Sequence, residues 1–234
     1  MNSHERTCQP RQRGPVRQYL PAGYPKLNTP TRREHAMAQL YFYYSAMNAG
    51  KSTTLLQSAH NYQERGMRAL LYTPAIDNRS GSHAIHSRIG LTAEAIAFSE
   101  GYDFYDAVKQ AQVAGPVHCL LIDESQFLTP LQVLQLTRVC DQLSVPVLCY
   151  GIRTDFQGEP FEGSKYLLAW ADNIIEIKTI CRSGKKATMN ARLDEQGNRL
   201  TEGAQIDIGH HYEALSRKEF HLEVVSPVGR RQAP

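Results

Sequence analysis

The chain has little of what marks membrane-spanning, disulfide-stabilised or nucleic-acid-binding proteins. No apolar run approaches the ~18 residues of a transmembrane helix, and we therefore expect no membrane span and no membrane partner. The five cysteines are scattered, odd in number and free of any Cys-x-x-Cys pair, which argues against a disulfide framework. The net charge of +3 is too small to indicate a nucleic-acid partner. These absences favour a cytoplasmic protein.

What the chain does have is enough apolar material for a core. Its 234 residues suffice for one α/β domain with a small appendage, and 41% of them are apolar. Cys119, Cys140 and Cys149 lie within apolar runs, and we interpret them as small core residues in a reducing compartment.

The two ends of the chain differ from the rest. Residues 1–36 are rich in proline and arginine and have neither apolar periodicity nor a signal-peptide core. We interpret them as a disordered arm or as the product of a wrongly assigned start, with Met37 as the true first residue. An arm for targeting or for binding acidic partners is the alternative. Residues 221–234 are expected to form a flexible tail.

The stretch Ser45–Ser52 carries the most chemical information. It follows the aromatic run Leu40–Tyr44, precedes a predicted helix from Thr53 to Arg65, and ends in Gly-Lys-Ser. A strand, a loop of small residues and a helix in this order form a P-loop, which binds phosphate through backbone N–H groups, a lysine and a magnesium-binding serine. The alternative is an ordinary helix start. The predicted ATP-binding residues of the loop are Ser45, Ala46, Met47, Asn48, Ala49, Gly50, Lys51 and Ser52.

Strand and helix signals alternate between residues 37 and 180. Nearly continuous apolar runs predict buried strands. Among the helix signals are the break at Gly115-Pro116 and the predicted N-cap Thr129 followed by Pro130. This alternation indicates an α/β fold of the P-loop NTPase type, a parallel sheet flanked by helices. The later predicted strands are Met67–Thr73, Val117–Ile122, Val145–Tyr150 and Asn173–Lys178, the later helices are Tyr102–Ala114, Thr129–Leu143 and Ser164–Ala171, and residues 75–92 are predicted to be a polar loop.

Residues 181–220 are too few and too polar for a second catalytic domain. A turn signal at Gly197-Asn198 and an alternating stretch from Ala204 to Ile208, interpreted as an edge strand, predict a small hairpin. We expect this hairpin or lasso to lie over the nucleotide fold.

Asp123 and Glu124 follow the buried strand that ends at Ile122. Because the carboxyl ends of parallel strands face the ligand crevice, we expect Asp123 near the P-loop, where it and Ser52 would bind magnesium. Glu124 would accept the proton of an attacking hydroxyl or water. The alternative is an exposed acidic pair that caps the helix at Thr129. The Asn-Lys-x-Asp pattern of GTPases is absent, and the residues alone leave the acceptor of the phosphate open.

Five stretches resemble the type II thymidine kinases in sequence and in order. They are YFYYSAMNAGKST at residues 41–53, NYQERG at 61–66, LIDESQFL at 121–128, VPVLCYGIRTD at 145–155 and YLLAWAD at 166–172. The resemblance extends from about Met37 to about Phe220, and Ser45 agrees with the family's own version of the P-loop. It implies transfer of the ATP γ-phosphate to the 5′-hydroxyl of thymidine or deoxyuridine, in nucleoside salvage for DNA synthesis.

The resemblance also implies roles for individual residues. Glu124 is implied as the general base. The residues implied to line the ATP crevice beside the P-loop are Asp123, Glu124, Ser125 and Gln126. Asp77 and Arg79 match a loop near the phosphates and the metal, with a solvated loop as the alternative. The implied nucleoside-binding residues, of which the phenylalanines would otherwise be interpreted as core, are Phe127, Phe156, Phe161 and Tyr212.

The zinc site of the family is missing from this chain. Relatives hold the base of the late hairpin with zinc on four Cys or His ligands, and those positions are here Cys181, Ser183, Ser216 and Glu219. We therefore expect magnesium with ATP as cofactor and no zinc, with a rearranged zinc site that uses His210, His211 and His221 as the alternative. The resemblance further implies a homotetramer and feedback inhibition by thymidine triphosphate, dTTP. The alternatives are a P-loop ATPase with a different acceptor and a nucleotide sensor derived from a kinase.

Overall fold

The computed structural model of the protein describes residues 38–76, 84–206 and 211–222. The strands of its first part are β1 (Leu40–Ser45), β2 (Ala69–Pro74), β3 (Ala84–His86), β4 (Thr92–Glu94), β5 (Ile96–Phe98), β6 (Cys119–Ile122), β7 (Val147–Ile152) and β8 (Asn173–Glu176). Six of them form a parallel sheet in the order β5-β2-β6-β7-β1-β8, and β3 pairs with β4 as a separate antiparallel hairpin. The α/β class predicted from the sequence is confirmed.

Helices cover both faces of the parallel sheet. They are α1 (Lys51–Gln63), α2 (Phe104–Val113), α3 (Pro130–Leu143) and α4 (Glu162–Trp170). Because successive strand residues point to opposite faces, Leu120 and Ile122 join the core that includes α2, α3 and α4, whereas Leu121 joins the core on the side of α1. Among the helices of the described residues, none has the length and apolar character needed to cross a membrane.

Local sequence signals account for where two helices begin. Thr129 caps α3: its hydroxyl accepts a hydrogen bond of 3.2 Å from the Gln132 backbone N–H, and Pro130 is the first helical residue, as predicted. Helix α1 starts at Lys51, earlier than the predicted Thr53, because Gly50 takes a left-handed conformation with φ of 83° and turns the loop directly into the helix.

The three cysteines assigned to the core from the sequence are buried, which confirms that prediction. Cys119 and Cys149 lie on β6 and β7, and Cys140 lies on α3. Burial raises the pKa of the Cys119 and Cys140 thiols to about 12. They therefore remain protonated and behave as small apolar side chains.

The later part of the chain forms two small antiparallel sheets. Its elements are β9 (Thr179–Ile180), β10 (Lys186–Ala187), β11 (Met189–Leu193), β12 (Arg199–Leu200), β13 (His211–Leu215) and helix α5 (Arg217–Phe220). Strands β9 and β10 pair, and β11 lies between β12 and β13 in what we call the hairpin sheet. The predicted turn at Gly197-Asn198 connects β11 to β12. Leu193, Leu215 and Phe220 form part of its small core.

Two predictions about loops and strands were wrong. The predicted loop 75–92 contains β3 and the first residue of β4, and β5 was missed at the edge of the main sheet. The predicted edge strand Ala204–Ile208 is not a strand over 204–206, while residues 207 and 208 lie outside the described part. The carbonyl oxygens of Ala204 and Gln205 accept hydrogen bonds from the side chain of Arg192. The Arg192 side chain therefore binds backbone carbonyl oxygens that, in an edge strand, would accept hydrogen bonds from a neighbouring strand.

Candidate active site

The loop between β1 and α1 has the backbone geometry of an anion site. Asn48 and Gly50 have positive φ values of 61° and 83°, which turn the chain toward the N-terminus of α1. Lys51 is the first residue of that helix and is buried. Burial lowers the pKa of Lys51, and the Glu124 and Asp123 carboxylates oppose this shift. A buried cation at a helix N-terminus is suited to hold phosphate.

Asp123 follows β6 and faces the first turn of α1. Its Oδ2 accepts a hydrogen bond of 3.1 Å from Ser52 Oγ, and its Oδ1 accepts one of 3.0 Å from the Glu124 backbone N–H. Burial, reinforced by the Glu124 carboxylate and opposed by Lys51, raises the pKa of Asp123 to about 7. A carboxylate beside a serine hydroxyl provides hard oxygen donors of the kind that magnesium prefers.

Glu124 has a left-handed backbone conformation, and its carboxylate accepts a short hydrogen bond from Gln126. Its φ is 47°, a left-handed value that costs about 1–3 kcal/mol outside glycine and is concentrated at functional sites. Gln126 Nε2 donates to Glu124 Oε2 at 2.6 Å, and Gln126 Oε1 accepts from the Ile152 backbone N–H at 3.2 Å. Gly151 leaves room for this turn, because a Cβ atom there would lie 2.7 Å from Ser125 Oγ. The carboxylate is therefore oriented by a side chain that is itself fixed to β7.

A cleft of about 640 Å³ extends from the P-loop to the hairpin sheet, and its far end is aromatic. Phe127 and Phe161 meet edge to face with ring centroids 6.0 Å apart. Phe156 lines the same cleft with its ring almost fully buried. These three rings, which we call the aromatic wall, provide a flat apolar surface of the kind that encloses a base.

Side-chain hydrogen bonds join the loop that follows β7 to the late part of the chain. Asp155 Oδ2 accepts a hydrogen bond of 2.8 Å from Gln205 Nε2. Asn190 of β11 donates through Nδ2 to the Thr154 carbonyl oxygen at 2.9 Å, and its Oδ1 accepts from the Met47 backbone N–H at 2.7 Å. Asn190 thus joins the P-loop to the loop that carries part of the aromatic wall.

Most residues that the sequence assigned to ligand binding face this cleft, although their roles stay predictions. Those that line it are Met47, Asn48, Ala49, Gly50, Lys51, Ser52, Asp123, Glu124, Gln126, Phe127, Phe156, Phe161 and Tyr212. Ser45, Ala46 and Ser125 are buried and do not line it. Asp77 and Arg79 lie outside the described residues.

Sequence reasoning missed several polar residues of the cleft. Arg88, in the turn after β3, lies close enough to Lys51 to contribute to the lowering of its pKa. Asp155, Asn190 and Gln205 also line the cleft. Asp155 had a signal, since it ends one of the stretches that resemble thymidine kinases. No sequence motif marked Asn190 and Gln205, because their hydrogen-bond partners lie far away in the sequence.

Comparison with protein families agrees with this geometry. The family model described as "Thymidine kinase" matches residues 38–220, which include every described element from β1 to α5. The chain belongs to the thymidine kinase family. Residues of its P-loop, its acidic pair and its aromatic wall line one cleft in the described part of the chain.

Bacterial proteins named thymidine kinase are similar to this chain over most of their length. One from Xanthomonas campestris pv. campestris (strain 8004) is 57% identical, across 79% of this chain and 90% of that protein. One from Vibrio cholerae serotype O1 is 58% identical, across 77% of this chain and 100% of that protein. One from Coxiella burnetii is 56% identical, across 80% of this chain and 96% of that protein.

The four positions that the resemblance assigns to zinc form a hydrogen-bonded group, which we call the Glu219 cluster. Cys181 Sγ lies 3.2 Å from Ser183 Oγ, and Ser216 Oγ donates to Glu219 Oε2 at 2.7 Å. Side-chain hydrogen bonds from Cys181, Ser183 and Ser216 lower the pKa of Glu219 to about 2. In the described ranges, no three His, Cys, Asp or Glu side chains are grouped as metal ligands. One thiol, two hydroxyls and a carboxylate do not fit a structural zinc ion.

Proposed function

We propose that the protein transfers the γ-phosphate of ATP to the 5′-hydroxyl of thymidine and yields thymidine monophosphate, with deoxyuridine as a second substrate. Membership of the thymidine kinase family supports this activity. The observation that carries the proposal is that one cleft contains a P-loop, the Glu124 carboxylate and the aromatic wall. A triphosphate and a flat nucleoside base fit these two ends.

Each part of the cleft has a task in this reaction. The backbone N–H groups of the P-loop and the Lys51 ammonium hold the triphosphate and offset the charge that spreads over the transferring phosphoryl group. The Glu124 carboxylate, oriented by Gln126, accepts the proton of the 5′-hydroxyl as its oxygen attacks phosphorus. The aromatic wall orients the base and excludes water, which would otherwise compete as the acceptor.

A divalent metal such as Mg²⁺ accompanies ATP in a kinase of this family, and we assign its protein ligands to Ser52 and Asp123. Their oxygen atoms lie 3.1 Å apart and are hard donors, so they fit magnesium. When bound, magnesium neutralises charge on the phosphate oxygens. Burial keeps Asp123 from ionising readily in the free protein, and a cation beside it favours its charged form.

The hydrogen bonds of the Glu219 cluster support the proposal that the protein does not need zinc. Its hydroxyl, thiol and carboxylate groups hydrogen-bond to one another, which satisfies polar groups that a metal would otherwise have to bind. Elemental analysis of purified protein should find far less than one zinc ion per chain, and near-stoichiometric zinc would contradict this.

Release of ADP from ATP and magnesium, measured with and without thymidine, tests the activity. The proposed kinase releases ADP only when thymidine is present, in amounts equal to the thymidine monophosphate formed. Release that does not depend on thymidine would identify an ATPase instead. Absence of release under both conditions would identify a protein that binds nucleotides without turnover.

We further propose a cytoplasmic homotetramer that is inhibited by dTTP. Resemblance to the type II thymidine kinases supports the assembly and the inhibition, and the free, buried thiols support a reducing compartment. Light scattering of the purified protein gives the assembly, and activity measured with increasing dTTP gives the inhibition. A monomer, or full activity when dTTP greatly exceeds thymidine, would contradict these assignments.

A further inference from the structure

Arg192 is a fully buried arginine in the middle of β11, with only 1% of its surface exposed. Its Nε donates to the Tyr212 hydroxyl oxygen at 2.8 Å, and its Nη2 donates to the carbonyl oxygens of Ala204 at 2.8 Å and Gln205 at 3.3 Å. Its guanidinium carbon lies 3.9 Å from the centroid of the Phe156 ring. One buried side chain therefore contacts four residues from three segments of the chain.

The partners of Arg192 belong to the nucleoside end of the cleft. Phe156, Gln205 and Tyr212 line the cleft, whereas Arg192 does not. The guanidinium thus lies behind the cleft surface and contacts Phe156 of the aromatic wall together with Gln205 and Tyr212. Because β11 pairs with β13 so that Arg192 is opposite Tyr212, the strand register places the guanidinium beside the tyrosine ring. The Arg192 guanidinium carbon is 5.4 Å from the centroid of that ring.

The contacts that Arg192 makes require a planar guanidinium group. A planar guanidinium can stack one face on an aromatic ring while its edge donates several hydrogen bonds in fixed directions, which a lysine ammonium cannot do. The chain leaves space for this edge at Gly203, where an added Cβ atom would lie 3.1 Å from Arg192 Nη1. A buried charge whose donors lacked hydrogen-bond partners would strongly destabilise the fold, so the guanidinium and the residues that accept its hydrogen bonds fix one another.

We propose that Arg192 is a positioning residue for the nucleoside, which it serves by fixing Phe156, Tyr212 and the 204–205 segment in the arrangement that the base and sugar require. This inference rests on the proposed function. Loss of the guanidinium releases these groups at the nucleoside end, while the P-loop, which Arg192 does not contact in the described structure, keeps its geometry. Affinity for thymidine should therefore fall without a matching fall in affinity for ATP.

Steady-state kinetics of Arg192→Met and Arg192→Lys, with thymidine and ATP varied separately, tests the proposal. We expect the Met variant to raise the thymidine KM by about tenfold or more, the size of effect that loss of one or two net hydrogen bonds produces. The ATP KM should stay within about twofold of the wild-type value. Arg192→Lys keeps the charge but not the stacked fork, and it should show the same pattern.

Arg199→Met is the matched control, because Arg199 makes similar contacts outside the cleft. Its guanidinium carbon also lies 3.9 Å from an aromatic centroid, that of Phe220, and it donates to the Phe220 carbonyl oxygen. Both arginines belong to the hairpin sheet. If the Arg192 variants act only by weakening that sheet, Arg199→Met should raise the thymidine KM as well. We expect it to leave both KM values near those of the wild type.

The possible results separate this inference from the proposed function. A selective rise in the thymidine KM in the Arg192 variants supports positioning. An unchanged thymidine KM, an equal rise in both KM values, or the same selective rise in Arg199→Met would overturn it. If Arg192→Met does not fold, as judged by circular dichroism, Arg192→Lys decides by the same criteria. Absence of thymidine-dependent turnover in the wild type would instead remove the proposed function on which the inference rests.

Discussion

Burial acts in opposite directions on two ionisable residues at the phosphate end of the cleft. It lowers the pKa of Lys51 and raises the pKa of Asp123 to about 7. The Glu124 carboxylate reinforces the shift at Asp123 and opposes the shift at Lys51. The free site therefore contains charges that water would stabilise better, and a triphosphate with its metal supplies the counter-charges. Binding of the triphosphate and its metal should therefore stabilise the folded state of the protein.

Replacement of one oxygen atom of Glu124 tests its role as general base. Glu124→Gln keeps the size of the side chain but removes the group that accepts the proton. We expect kcat to fall by about 100-fold or more, within the range that general-base catalysis supplies. Dissociation constants for ATP and thymidine, measured by calorimetry, should stay within about threefold of the wild-type values, because a small change in binding at unchanged geometry is the signature of a group that acts in the transition state.

The matched control for this variant is Glu100→Gln, which changes an exposed glutamate in the loop before α2. It should leave kcat and both dissociation constants unchanged. Turnover by Glu124→Gln at close to the wild-type rate would mean that the 5′-hydroxyl loses its proton to another group.

Elements of secondary structure were predictable where the signal lies within a few neighbouring residues. The cap at Thr129 and the buried strand before Asp123 depend on adjacent side chains, and the sequence placed both. The short strands of the hairpin sheet depend on pairing between β11 and β13, which lie far apart along the chain. Their residues have little apolar alternation of their own, so propensity alone could not identify them.

The site residues that were predicted belong to short local motifs, whereas those that were missed depend on contacts between distant parts of the chain. The P-loop and the Asp123-Glu124 pair are short motifs, and their chemistry follows from adjacent residues. Asn190 and Arg192 act through contacts with Met47 and Phe156, which precede them by many residues. The residues that surround Asn190 and Arg192 in the sequence form no pattern from which such a contact could be predicted. A nucleoside site could therefore be predicted from the sequence only by resemblance.

Packing between β7 and the turn after β6 should couple the sheet to catalysis. A Cβ atom at Gly151 would lie 2.7 Å from Ser125 Oγ and 2.9 Å from Gln126 Oε1, and Gln126 orients Glu124. We expect Gly151→Ala to reduce the free energy of unfolding by about 1–3 kcal/mol, as overpacking does. It should also lower kcat, because the displaced Gln126 no longer fixes the carboxylate.

The control for this substitution is Gly101→Ala, where an added Cβ atom has no neighbour within 4 Å. Thermal unfolding and kcat should both be unchanged in that variant. If Gly151→Ala has the wild-type melting temperature and kcat, the turn tolerates displacement and Gln126 does not need its observed position.

The Glu219 cluster predicts acid sensitivity of the hairpin end of the chain. Hydrogen bonds from Cys181, Ser183 and Ser216 lower the pKa of Glu219 from 4.5 to about 2. A carboxylate whose pKa is depressed in the folded state stabilises that state above its unfolded pKa, and this contribution is lost as pH falls through the folded pKa. The stabilisation should therefore be complete above about pH 4.5 and disappear toward pH 2.

Comparison with Glu219→Gln isolates this contribution from general acid unfolding. At neutral pH the variant should melt at a lower temperature than the wild type, because the amide accepts weaker hydrogen bonds than the carboxylate. The difference between the two melting temperatures should shrink as pH falls from about 4.5 to 2. A constant difference across this window would show that ionisation of Glu219 contributes nothing to stability.

At the scale of the whole molecule, the cleft is built from both the parallel sheet and the late antiparallel strands. The phosphate end is formed by loops that follow β1 and β6, at the carboxyl ends of parallel strands. The aromatic end, to which we assign the nucleoside, is completed by residues around β11 and β13. Asn190 connects the two ends, since it bonds to Met47 and to Thr154. The hairpin sheet therefore makes contacts at both ends of the cleft.

The family match and the contacts of the cleft define the part of the chain that should suffice for activity. The thymidine kinase match covers residues 38–220, and the V. cholerae relative is covered along 100% of its length by 77% of this chain. A protein that begins at Met37 and ends at Leu222 should therefore keep kcat and both KM values within about twofold of those of the full chain. Its melting temperature should differ by only a few degrees, equivalent to about 1 kcal/mol. Separate removal of residues 1–36 and 223–234 serves as the control that locates any effect, and a tenfold loss of activity from either would show that the catalytic unit extends beyond the matched residues.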